Sequence, residues 1–348
     1  MSDQPLKSEW RVIGKSVRGA AHVRSGLPNQ DRISWTPESG SVLPLIVSIS
    51  DGHGSNKAFR SDTGAELAVR AAQSISRSFL TSQTEPLNHS TIKRWAEENL
   101  PRELVRHWQN DVADDLTSKP FTKAELDQLQ AKENAEKCRQ VVLNPVLAYG
   151  ATVLTAIITE SYILYIQLGD GDILAVGEKG EVSRPLPRDE RLFANETTSL
   201  SSEKAWLDFH THFQVLSSLP PALVLLATDG YANSYRNDPE FLKVGPDILA
   251  ALRSDGVEKV NEKLEEWLVD ASTNGSGDDI TVGIVCRLDA LKAPPASPSD
   301  VKTQSPESNH ACAKPPLLAK TQVLPADTEK TILSHKSTKN HLTKTDPT

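Results

Sequence analysis

Three apolar runs, Thr152–Ile158, Tyr162–Leu168 and Ile173–Val176, follow one another across connections of a few residues. Runs this short, rich in Val, Ile and Leu and bounded by Gly or Asp, read as buried strands rather than helices. A parallel crossover needs about a dozen residues or more, so the spacing predicts an antiparallel meander. Leu45–Ile49, Leu223–Ala227 and Thr281–Cys286 have the same character. Helical stretches stand apart from them. Asp62–Leu80 places Leu67, Ala71, Ile75 and Phe79 on one stripe, and Thr63-Gly-Ala-Glu66 has capping-box spacing at its start. A charged helical region spans roughly 89–142, with a second capping box at Thr122-Lys-Ala-Glu125, and a third helix, Val257–Ala271, stops near Asn274-Gly275. Antiparallel strands and helices in separate blocks predict an α+β layered fold.

Composition divides the chain near Ala290. From Pro294 to Thr348 it is rich in Pro, Ser, Thr and Lys and has no aromatic residue, too little apolar surface to offset the entropy of ordering. Residues 1–290 are therefore read as one domain and 291–348 as a disordered tail, in which His310-Ala-Cys312 is a solvated grouping rather than a metal site. The net charge of −8 argues against nucleic acid as the main partner. Cys138, Cys286 and Cys312 show neither disulfide nor zinc spacing. With no apolar leader at Met1–Glu9 and no run of ~18 apolar residues, the expectation is a cytoplasmic, monomeric protein outside the membrane.

Three Asp-Gly pairs stand directly after apolar runs: Asp51-Gly52, Asp170-Gly171 and Asp229-Gly230. Gly277-Asp278-Asp279 precedes another, and Asp31 lies in Asn29-Gln30-Asp31. Each Asp-Gly taken singly reads as a turn, because Gly accepts positive φ and Asp bonds its own backbone. As a set they read otherwise. Carboxylates gathered at strand ends repel one another unless cations lie between them, and carboxylate and carbonyl oxygens are the ligands that Mg²⁺ and Mn²⁺ prefer. Two such ions about 4 Å apart activate water and neutralise a phosphoryl group during in-line displacement.

In order, Asn29-Gln30-Asp31, Ser50-Asp51-Gly52-His53-Gly54, Tyr149-Gly150-Ala151-Thr152, Gly169-Asp170-Gly171-Asp172, Ala227-Thr228-Asp229-Gly230 and Ser276-Gly277-Asp278-Asp279-Ile280-Thr281 resemble the bacterial branch of the metal-dependent protein phosphatases of the 2C type. The resemblance implies a four-layer α-β-β-α sandwich with two central antiparallel sheets, carrying a helical insertion at about 83–144 and a flap at about 185–221. It implies two Mn²⁺ or Mg²⁺ ions, with a third metal site in some relatives. Asp51 would bridge two metals, the Gly52 carbonyl would bind one, and Asp229 and Asp278 would hold the other. Asp31 would orient water, His53 would act as general acid, and Asp170 would serve the third site. Asp279, where relatives carry Asn, takes a supporting role.

The chain departs from that pattern at Gln30, usually Glu, and at Gly171-Asp172. The arginine expected to grip phosphate is also out of place. Arg24 and His22 are the candidates for that contact, and Arg24 reads equally as a solvated charge. His210-Thr-His212 falls in the expected flap, and Trp95 and Trp108 read as packing residues of the insertion. The function implied is hydrolysis of phosphoserine and phosphothreonine on proteins, opposing a Ser/Thr kinase whose targets, or which itself, would be the substrate. The alternative is a phosphatase-like binding module that docks a kinase or regulator.

Overall fold

The computed structural model describes residues 9–83, 85–187, 198–217 and 219–292. Ten strands form two five-stranded antiparallel sheets among them. The strands are β1 (Trp10–Val17), β2 (Arg32–Thr36), β3 (Leu45–Ser50), β4 (Val153–Ile158), β5 (Tyr162–Leu168), β6 (Asp172–Val176), β7 (Val182–Ser183), β8 (His210–Val215), β9 (Leu223–Ala227) and β10 (Ile280–Arg287). One sheet runs β1-β10-β9-β6-β7 and the other β2-β3-β4-β5-β8. Helices α1 (Ala20–Ser25) and α2 (Ser61–Thr81) lead to α3 (His89–Glu98), α4 (Leu100–Ser118), α5 (Lys123–Lys132) and α6 (Ala135–Leu143). Beyond β9 come α7 (Asp229–Ala232), α8 (Asp238–Phe241), α9 (Val244–Asp255) and α10 (Val257–Asn274), with α11 (Leu288–Leu291) after β10.

The layers follow from the two-residue period of a strand. On β9, Val224 and Leu226 face the space between the sheets, with Val47, Ile49, Leu154 and Val285. Leu223, Leu225 and Ala227 face the other way, onto Leu249, Leu252, Leu264 and Leu268 of α9 and α10. The second sheet does the same with α2 and α4, through Val153 and Leu168 against Ala68 and Trp108. Strands covered on both faces need apolar residues at every position, and this is why they stand out as continuous runs. The four-layer α-β-β-α order is as expected.

The meander is not. β4 and β5 pair antiparallel, but β6 leaves that sheet and pairs with β9 and β7 in the other. The link has three residues, Gly169, Asp170 and Gly171, and three extended residues reach about 10 Å, close to the ~10 Å spacing of packed sheets. A link of this length closes a hairpin or changes sheets equally well. Gly169 has φ +112°, and a side chain on Gly171 would start 2.6 Å from the Ala227 carbonyl oxygen, so the chain changes sheets on glycine.

The charged region at 89–142 is four helices. Trp108 is fully buried and its indole donates to the Gly64 carbonyl at 3.0 Å, while Trp95 stacks on Phe79 at 5.0 Å, so both tryptophans pack the insertion onto α2. The capping box at Thr122 and Glu125 forms as expected. The one at Thr63 does not, because α2 begins two residues earlier behind Arg60. Arg60 ties the insertion down: its guanidinium donates to Glu125 at 2.8 and 3.1 Å, to the Tyr149 hydroxyl at 2.7 Å and to the Lys119 carbonyl at 2.6 Å. His210-Thr-His212 lies on β8, an edge strand in which His212 pairs with Tyr165. Residues 188–197 of the expected flap, and the tail from 293 onward, lie outside the described residues.

Candidate metal centre

The carboxylates come from both sheets and meet at one end of the sandwich, rather than along the edge of one sheet. Asp51 follows the last residue of β3 and Asp31 precedes β2. Asp170 lies in the link between the sheets, Asp229 follows β9 by one threonine, and Asp278 and Asp279 lead into β10. Antiparallel order makes this possible, since the end of one strand adjoins the start of the next.

Carboxylate oxygens of Asp51, Asp170 and Asp229 all lie within 4.8 Å of one another. Burial pushes the Asp51 carboxyl well up, and the negative charges of Asp31, Asp229, Asp278 and Asp170 push it further. Asp31 and Asp229 are raised for the same two reasons, burial first and then neighbouring aspartates. Asp278 is raised chiefly by burial. These four carboxyls, with the Asp170 charge acting on Asp51, Asp229 and Asp278, form one electrostatic unit. Its donor set is oxygen only, which fits a hard divalent cation such as Mg²⁺ or Mn²⁺ and does not suit a thiophilic one.

Glycine at these sites answers to close packing rather than to turning. Gly52, Gly171 and Gly230 all lack positive φ. A side chain on Gly52 would start 2.5 Å from the Ser61 carbonyl oxygen, and one on Gly230 2.1 Å from that of Asp279. The hairpin-turn reading thus fails for all three pairs, since each glycine is where two backbones touch.

Hydroxyls and backbone hold the acids in place. Thr228 donates to Asp31 at 2.7 Å and accepts from the Thr281 amide at 2.9 Å. The Thr152 hydroxyl accepts from the Asp51 amide at 3.0 Å, and the Thr152 amide donates to the Asp51 carbonyl at 2.8 Å. The His53 amide donates to the Gly150 carbonyl at 3.0 Å, so Tyr149-Gly-Ala-Thr152 is the brace for Asp51-Gly-His53. Thr228 and Thr281 were visible in the sequence beside Asp229 and Asp279, and Thr152 in Tyr149-Gly-Ala-Thr152, but nothing there assigned them a task.

His53 is held with its Nε2 buried and making no hydrogen bond to any described residue. Burial lowers its pKa, and the Asp170 charge partly restores it. Asp279 is 3% exposed and turns from the cluster. It accepts from the Gly19 amide at 2.5 Å and the Gln30 amide at 2.6 Å, and its Oδ2 lies 2.9 Å from His22 Nδ1. His22 Nε2 stands 3.9 Å from Asp278, so one imidazole faces both acids. Gln30 directs its amide to Ser61 at 2.7 Å, away from the carboxylates. Asp172 binds Arg184 at 2.6 Å. Arg24 is exposed on α1 and makes no hydrogen bond to a described residue.

The family model described as protein phosphatase 2C matches residues 18–269. This chain belongs to the protein phosphatase 2C family. That family is one of metal-dependent serine/threonine protein phosphatases. Among solved structures it is similar to a bacterial serine phosphatase, 11% identical, with 79% of this chain and 97% of that one covered and a TM-score of 0.51. It is also similar to the serine/threonine phosphatase Stp1 from Staphylococcus aureus, 12% identical, covering 82% and 98%, TM-score 0.50. A third is the catalytic domain of the phosphatase PstP with two manganese ions, 14% identical, covering 80% and 99%, TM-score 0.48. No curated protein matches the chain in sequence. At these identities the first two show a shared fold and nothing finer. Within the phosphatase 2C domain described here, no helix is long and apolar enough to cross a membrane.

Proposed function

We propose that the chain hydrolyses phosphoserine and phosphothreonine esters of other proteins at this acidic centre, opposing a Ser/Thr kinase. The observation that carries it is the gathering of Asp31, Asp51, Asp170, Asp229 and Asp278 at one end of the sandwich, beside a buried His53 whose Nε2 has no hydrogen-bond partner among the described residues. Asp51, Asp229 and Asp278, with the Gly52 carbonyl, would hold two Mn²⁺ or Mg²⁺ ions, and Asp170 with Asp229 a third. Bound there, such ions neutralise phosphoryl charge and bring a water's pKa to ~7.

The protein's own groups do the rest. Asp31, fixed by Thr228, accepts a hydrogen bond from the attacking water and aims it in line with the scissile bond. His53 holds a proton at Nε2 and passes it to the departing serine or threonine oxygen. Arg24 is the better of the two phosphate candidates, because its guanidinium is unengaged while His22 faces Asp279. The burial of Cys286 and part-burial of Cys138, both free thiols, accord with action in a reducing cytoplasm.

The test is hydrolysis of p-nitrophenyl phosphate and phosphothreonine peptides with Mn²⁺ or Mg²⁺. Loss of turnover in excess chelator and in Asp51→Asn is expected, and a rate unchanged by either would overturn the proposal.

A further inference from the structure

A cleft of about 180 Å³ opens between the loop that follows His53 and α5 of the insertion. Its walls are Gly54, Phe59, Leu27, Leu129 and Gln30, and Lys132 stands at its mouth. Two of the three walls run directly into the proposed machinery. Gly54 succeeds His53, and Gln30 precedes Asp31 and accepts the Gly52 amide on its carbonyl. The third wall is fixed at both ends. Arg60, where the loop ends, grips Glu125 of α5 through two bonds, and Asn56 in the loop donates to Glu133 at 2.9 Å.

We propose that this cleft receives the residue next to the phosphorylated Ser or Thr of the substrate protein, and that Lys132 selects an acidic side chain there. The proposal rests on the phosphatase reading. Position supports the first part, because a peptide whose phosphate lies at the carboxylate end of the sandwich must lay its neighbouring residues over one of the adjoining walls. Charge supports the second. Among the described residues Glu125 is the one carboxylate lining the cleft and is neutralised by Arg60, whereas Lys132 makes no ion pair with any of them. The rigid ties matter as well. A cleft fixed before the substrate arrives loses no ordering entropy on binding, which is how a small cavity comes to discriminate. The insertion then has a task beyond covering α2, that of supplying a wall.

The test uses the whole protein with Mn²⁺ and a set of phosphothreonine peptides. Each position within two residues of the phosphothreonine is in turn Glu, Ala or Lys, and kcat/KM is read for each. At one position the wild type should favour Glu over Lys by about three- to fivefold, as expected of a half-exposed ion pair. Lys132→Ala should erase that preference and Lys132→Glu should invert it, both with p-nitrophenyl phosphate turnover unchanged. Lys132 is exposed, so these variants should fold as the wild type does, which melting curves would verify. A flat peptide profile in the wild type, or one that survives Lys132→Glu, would overturn the cleft proposal while leaving the phosphatase reading intact. Absence of p-nitrophenyl phosphate turnover in the wild type would instead overturn the phosphatase reading and the cleft with it.

Discussion

Asp279 shows how one oxygen-rich residue can be structural beside others that are chemical. Its three partners, the amides of Gly19 and Gln30 and the imidazole of His22, all present nitrogen. Asn in its place would offer one acceptor and turn an NH₂ toward a donor. Asp279→Asn should therefore cost about 1–3 kcal/mol, visible in urea unfolding, and should weaken Mn²⁺ binding in calorimetry because α1 and Asp278 shift together. Asp51→Asn should act in the opposite sense on stability. It removes one of five charges that repel each other, so the metal-free protein should melt higher than wild type, even as turnover falls by at least about a hundredfold. A lower metal-free Tm in that variant would mean that the carboxylates are not in the electrostatic contact described. Asp51, Asp170 and Asp229 were legible in the sequence because each stands just after an apolar run, and Asp278 because it stands just before one. The threonines that fix them were not, since a hydroxyl acquires its partner only when residues as distant as 31 and 228 meet.

At the scale of elements, α2 carries the clearest test. Gly64 lies in its first turn, and a β-carbon there would start 1.8 Å from the Tyr149 carbonyl oxygen. Gly to Ala inside a helix ordinarily adds about 0.5–1 kcal/mol. Here it should instead destabilise by about 1–3 kcal/mol or more, measured by chemical denaturation, because helix and brace would be forced apart. The Arg60–Glu125 tie supplies a pH prediction. The Arg60 hydrogen bonds hold the Glu125 carboxyl down at about 2 against an ordinary 4.5. A depressed folded-state pKa gives stability that is complete above 4.5 and lost as pH falls towards 2. Glu125 is partly exposed, so screening by solvent limits its worth to about 1 kcal/mol. Glu125→Gln should melt slightly below wild type at pH 7, and the gap should close on acidification through that window. Strands buried on both faces were plain in the sequence. β2 and β8 were not, because no residue of either is fully buried and their composition is mixed. β6 was recognised as a strand but assigned to the wrong sheet, since a three-residue link carries no record of which sheet it leads to.

For the molecule as a whole, the centre is a seam between two sheets, so ions held there would add a bridge between layers whose shared interior is apolar and whose end is tied by bonds such as Thr228 to Asp31. Mn²⁺ at a hundred times its dissociation constant should add about 2.7 kcal/mol to folding, or about 5–10 °C in Tm for a domain of this size. Chelation should reverse it, and Asp229→Asn should reduce the shift. Protection against hydrogen exchange should rise most at the Asp51, Asp170 and Asp229 ends of β3, β6 and β9.

The pairing of β1 with β10 has a kinetic consequence. Trp10 lies opposite Arg287 and Val17 opposite Ile280, so the first strand of the domain waits for the last. Loops that long close slowly, and sheets dominated by distant partners fold in milliseconds to seconds or longer. On the ribosome, β1 must remain unpaired until nearly the whole domain has emerged. A nascent chain halted before residue 278 would lack Asp278 as well as the partner of β1. Assembly of the acidic centre is thereby timed to the end of the domain's synthesis, and a chain truncated before residue 278 should neither bind Mn²⁺ tightly nor resist proteolysis.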